Sequence, residues 1–228
     1  MFSKSILPLL IGAASFIQAS PVPEALNEKR ACQQIFPNQL VQLSQANPNT
    51  AYSNTWNTDK SVKISQDVDG NGNPTNQFWE LISFPALPAG SYGCSLTLTF
   101  PSDYSPAITG VSPALNVYTV ATPLPDAPTF NNVSPKINTG IFGTITPASG
   151  QNAVINTEAC NGGLSFVFRY ADWVRGQGSV SWTELWGKSN EETAKRSATK
   201  WHIIIAIIMM VMEMATMVTV SDPRIMAA

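Results

Sequence analysis

In "YGCSLTLTF" (92–100) apolar and polar side chains alternate: Cys94, Leu96, Leu98 and Phe100 fall on one face, Ser95, Thr97 and Thr99 on the other. A period of two belongs to an extended strand whose one face is buried. The alternation returns in "GLSFVFRYADW" (163–173), with Leu164, Phe166 and Phe168 inward, and in "GSVSWTEL" (178–185), with Val180 and Trp182 inward. Weaker runs lie at 39–45, 61–68, 76–84, 114–120, 140–146 and 152–157, separated by Gly, Pro and Asn clusters. No segment between Cys32 and Trp186 carries a capped helical period. The expectation is an all-β fold: an antiparallel β-sandwich or open barrel of about eight short strands. The Pro-rich stretch "TPLPDAPTFNNVSP" (122–135) is expected to link its halves as an extended loop.

The ends of the chain have a different texture. Lys4 followed by "ILPLLIGAASFI" (6–17) and a small-residue cleavage point after Ala19 has the form of a secretory signal peptide, residues 1–19. A pro-segment, 20–30, ends in the dibasic pair Lys29-Arg30, so the mature chain is expected to start at Ala31 and the β-domain to span 31–186. Beyond it, 187–228 turns charge-rich and then apolar. Residues 203–220 are barely long enough for a transmembrane segment and contain Glu213. The competing reading is translated intron, because Gly187-Lys188-Ser189 can be encoded with a splice-donor consensus where the composition breaks. Membrane association is expected only if this tail is genuine.

Composition agrees with an exported protein. Charged residues are 12% of the chain, against about 25% in average soluble domains, and Ser, Thr and Asn supply the polarity instead. A net charge of −2 leaves no basic footprint for nucleic acid. Three cysteines imply at least one disulfide: Cys94 and Cys160 can staple two elements, and Cys32 can pair with either. Asn132-Val133-Ser134 is the sole glycosylation sequon.

"QDVDGNGNPTNQFWEL" (66–81) poses the sharpest question of chemistry. Asp67, Asp69, Asn71 and Asn73 occupy the first four ligand positions of a calcium loop, but the twelfth is Phe78, which cannot close the coordination shell. Asp-Gly and Asn-Gly are also hairpin-turn signals, and a turn is the expectation here. The chain's one histidine, His202, lies in the tail, so a Ser-His or Cys-His relay and a His-ligated zinc centre have no imidazole in the domain. No cofactor is expected. Carboxylate pairs for glycoside hydrolysis would have to come from Glu80, Asp103, Asp126, Glu158, Asp172 and Glu184. Trp173 and Trp182 fall on expected strands; Tyr52 and Trp56, in "NTAYSNTWNTD", are the candidate sugar-stacking pair.

Finally, "FPALPAGSYGCSLTLTFP" (84–101), a later cysteine, and "FVFRYADWVRGQGSVSWTEL" (166–185) together resemble the C-terminal domain family named after a fungal ubiquitin-3-binding ("But") protein. The resemblance implies a small secreted or cell-surface all-β domain of fungi with no established activity, ending in one more strand with a closing Tyr and Cys. This chain departs from that ending after Leu185. No functional residues carry over, and the signal peptide argues against a cytosolic modifier as partner. The leading expectation is a secreted, non-enzymatic cell-surface or cell-wall protein, structural or adhesive, meeting wall polysaccharide or surface proteins. The alternatives are a carbohydrate-binding module and a small carboxylate hydrolase.

Overall fold

The structure, a computed structural model, describes residues 31–160, 162–184 and 204–211. The expected signal peptide, the pro-segment with Lys29 and Arg30, and the rest of the tail lie outside these residues. The strands in chain order are β1 (Ala31–Ile35), β2 (Gln39–Ser44), β3 (Ser61–Val68), β4 (Pro74–Ser83), β5 (Ser91–Thr99), β6 (Ala107–Gly110), β7 (Leu115–Thr119), β8 (Gly143–Ile145), β9 (Asn152–Glu158), β10 (Ser165–Tyr170), β11 (Gly178–Thr183) and β12 (Ile204–Val211). Every pairing is antiparallel. One sheet has the order β1-β12-β5-β9; the larger runs β6-β11-β3-β4-β10-β7-β8, with β2 also on β4. The all-β expectation holds.

The alternation in sequence becomes two hydrophobic cores, because neighbours along a strand face opposite sides of its sheet. Leu96, Leu98 and Phe100 from the smaller sheet meet Leu40, Ile82, Phe166, Phe168, Val180 and Trp182 from the larger one, forming the core between the sheets. Phe100 meets Trp182 edge-to-face, with ring centroids 5.5 Å apart. The other face of the larger sheet presents Val41, Leu43, Trp79, Leu81 and Val167, a second core.

The Pro-rich crossing covers that second core, and here it departs from the extended loop expected of it. Residues Phe130–Val133 form a short helix, α1, capped by Thr129, whose Oγ1 accepts the Asn132 N–H at 3.3 Å. Val133 is buried and Phe130 lies 4.5 Å from Trp79, centroid to centroid. One helical turn is too short to leave a 3.6-residue period in the sequence. Its only signature is the Thr129-x-x-Asn132 cap.

Three further strands, β1, β6 and β12, lie outside the alternating runs. β6 is exposed along its whole length at the sheet edge, so nothing selects apolar residues on one face. β12 comes from the apolar tail and is paired on both edges, with β5 and with β1. A strand does therefore follow Leu185, within the segment expected to be a span or intron. Among the described residues no helix is long and apolar enough to cross a membrane.

Gly110 ends β6 in the left-handed region, at φ 71°, and pairs with Gly178. A Cβ there would be driven into the Gln177 carbonyl oxygen. Gly110→Ala is expected to cost about 2–3 kcal/mol from strain and overlap together, seen as a lowered urea midpoint. An unchanged midpoint would mean that β6 is not held against β11.

Candidate functional site

The 66–81 segment is a hairpin between β3 and β4. The Asp69 carboxylate turns into its own loop: Oδ1 accepts the N–H groups of Asn71 and Asn73, both at 2.8 Å, and Oδ2 accepts from Asn73 Nδ2 at 3.2 Å. These hydrogen bonds, the Asn73 backbone bond first, hold its pKa below the usual carboxylate range. Gly72 supplies the positive φ, at 77°. Asp67 accepts from Gln177 and Asn76. The carboxylates organise a turn.

Cys94 and Cys160 are joined in a disulfide, with Cα atoms 5.3 Å apart. Cys94 lies on β5 and Cys160 two residues past the end of its neighbour β9, so the bond closes that edge of the smaller sheet. Backbone register shows why Cys32 does not compete. Its partner on β12 is Met210, which faces Tyr92 of β5, so Cys32 is two strands away from β5. Two strand spacings are about 9.6 Å, beyond the roughly 7 Å that a disulfide can bridge.

Tyr52 and Trp56 are each half-buried, and they do not form one platform. Trp56, in a 3₁₀ turn over Thr55–Asn57, packs on the core between the sheets, with Lys60 Nζ 5.0 Å from its ring centroid. Tyr52 packs on the second core, edge-on to Phe78 at 6.2 Å. The two rings thus belong to opposite faces of the larger sheet. Trp173 is not on a strand: β10 ends at Tyr170, and Trp173 stands 58% exposed in the following turn. Trp182 and Trp79 are core residues.

Among the candidate carboxylates, Glu80 and Glu184 are brought close enough for charge to be felt, and both are buried. β3 and β4 are in register at Ser65 and Phe78 and part beyond it. There the Glu80 Oε2 accepts the Lys63 backbone N–H at 3.1 Å, standing in for a missing ladder carbonyl. Burial pushes the Glu80 pKa well above the ordinary range, and the charges of Glu184 and Asp59 push it the same way. Glu184 accepts the Trp182 indole N–H at 2.8 Å. Both carboxyl groups are thus buried and turned onto the protein's own N–H groups, whereas a glycoside hydrolase holds the glycosidic bond between its two carboxyls. Asp172 is paired with Arg169 at 3.1 Å, and Asp103 is exposed elsewhere.

Two open polar clefts stand out among the described residues. One, of about 420 Å³, lies over β6, β11 and β3. Thr109 bonds Ser179 at 2.7 Å and Gln177 bonds Asp67 at 3.1 Å, while Gln66 donates to the Val174 and Gly176 carbonyls and keeps its Oε1 buried without a partner among the described residues. The other, of about 440 Å³, lies where β2 begins, β4 ends, β10 begins and the Pro-rich crossing passes. Asn54 is its brace: Oδ1 accepts Leu40 N and Trp56 N, and Nδ2 donates to Asn38 O. Ser83 and Ser165 share one hydrogen bond of 2.9 Å at its base. The Asp126 carboxylate makes no hydrogen bond or ion pair with the described residues, nor do the side-chain amides of Asn38 and Gln39. Asp126 stood among the candidate carboxylates; the other lining residues had no signal in sequence, since four distant segments supply them. Tyr52 and Trp56 lie two residues to either side of the brace and do not line the cleft.

What these residues define is a small antiparallel β-sandwich with an internal disulfide and a polar cleft at one end of its larger sheet. Residues 35–188 match the ubiquitin 3 binding protein But2 C-terminal domain, and the chain belongs to that family. The match leaves out β12. No match is found among curated proteins.

Proposed function

We propose that this chain is a secreted, non-enzymatic protein of the fungal cell surface or wall, structural or adhesive in role. The observation that carries the reading is the Cys94–Cys160 disulfide. Structural disulfides persist in oxidising compartments and are rare in the cytosol, which agrees with a chain that opens on a signal-like segment. The family description speaks of a ubiquitin 3 binding protein. In an extracellular setting the partners of this chain are wall polysaccharide or surface proteins.

Fractionation of the natural host tests this. The chain is expected in the medium or the wall fraction, starting at Ala31, and two mass units lighter before reduction. Recovery from the cytosol alone, with both thiols free, would end the proposal. Asn132 is exposed, though its side chain also serves the α1 cap, with Oδ1 accepting the Thr129 N–H at 2.7 Å, and Nδ2 donates to Ala127 O at 3.0 Å. Enzymatic removal of N-glycans is expected to lower the mass by one glycan, and Asn132→Gln to abolish that shift. A mass unmoved by the enzyme would show the sequon unused.

A further inference from the structure

We infer that the cleft between Gln39, Asp126 and the Ser83–Ser165 pair is a binding site for a neutral saccharide. The inference rests on the extracellular reading above and names a ligand class for it. The choice of ligand follows from the hydrogen-bonding capacity that the protein leaves unused. Between them Ser83 and Ser165 use one hydroxyl hydrogen, leaving a donor and lone pairs at the base of the cleft. The amides of Asn38 and Gln39 each offer a donor and an acceptor, and the Asp126 carboxylate offers acceptors alone. A ligand that answers such a set must itself carry many groups that donate and accept, as sugar hydroxyls do.

Charge and shape narrow it further. Among the described residues no Lys, Arg or His lines the cleft, and the one formal charge there is negative, so phosphates, sulfates and acidic glycans meet repulsion without a counter-charge. Leu124 and Pro125, half-buried, give one wall an apolar surface against which the C–H face of a pyranose can lie. A volume of about 440 Å³ is in the range of small-ligand sites, about 300–1,000 Å³. The cleft is open, which suits a stretch of a longer chain. The second cleft differs in charge: Lys63 and Asp67 both line it, so it is not selective for a neutral ligand, although Gln66 Oε1 there is also left without a partner among the described residues.

The test is calorimetric titration of the full secreted chain with neutral oligosaccharides: β-1,3-glucan, β-1,4-glucan, chitin and α-mannan oligomers, with a sulfated glycan as the charged comparison. At least one neutral oligomer is expected to bind and the sulfated one is not. Asp126→Ala and Gln39→Ala are each expected to weaken binding at least tenfold at an unchanged melting temperature, while Trp56→Ala leaves it within twofold. Binding lost in Trp56→Ala but kept in the two cleft variants would overturn the site. No binding to any neutral oligomer at millimolar concentration would overturn the ligand class. Neither result would touch the extracellular reading, which fractionation tests separately.

Discussion

Replacing Cys94 and Cys160 together by alanine is expected to remove about 4 kcal/mol of stability, the loop-closure entropy of a bond that spans 66 residues. Domains of this size hold about 5–15 kcal/mol in total, so the loss should also lower the secreted yield. The enclosed segment, from β5 to the end of β9, contains β6, β7, β8 and the Pro-rich crossing. In the reduced chain all of it is free to separate from β5 on unfolding. Urea denaturation of the double variant checks the value, and wild-type protein in reductant provides the same comparison without a substitution. A loss below about 1 kcal/mol would mean that the unfolded chain stays compact without the bond.

Glu80 is expected to make the domain more stable in mild acid than at neutral pH. Its carboxyl is buried and its folded pKa lies well above that of the unfolded chain. Its contribution is therefore complete below the ordinary carboxyl range and is lost as pH rises through the folded value. The slope is at most about 1.4 kcal/mol per pH unit. Glu158, raised by partial burial, adds a smaller term of the same sign. Glu80→Gln keeps the shape and the acceptor for Lys63 N–H and cannot ionise. It should match wild type in mild acid, exceed it at neutral pH and flatten the profile. Glu80→Ala leaves that N–H unanswered and opens a cavity, at a cost of about 3 kcal/mol in mild acid. Denaturation at three pH values separates these cases. A wild-type profile that Glu80→Gln does not change would show that Glu80 is not the group responsible.

Much of the sandwich was legible residue by residue. The stretch 61–68 is β3 as expected, and 92–100 is β5 to within one position. The hairpin reading of 69–73 also holds, with Asp69 as its organiser. The failures have physical causes. β6 is solvated on both faces, and β12 is a continuous apolar run whose letters also suit a membrane. α1 is one turn long. Trp173 followed an alternating run past its actual end, because the pattern cannot say where a strand stops.

The cleft was legible least of all. Ser83 and Ser165 are 82 residues apart and meet because β10 pairs with β4 at that register. Asp126 and Gln39 reach the same place along the crossing and along β2. The sequence by itself determined which residues face inward, since burial of alternate side chains is written locally in a period of two. Only the tertiary structure decided which strands became neighbours, that Cys94 would take Cys160 rather than Cys32, and which polar side chains would converge with their hydrogen bonds unspent. Those outcomes depend on long-range pairing and register, and polar residues on the outer ends of strands carry no local mark of what they will face.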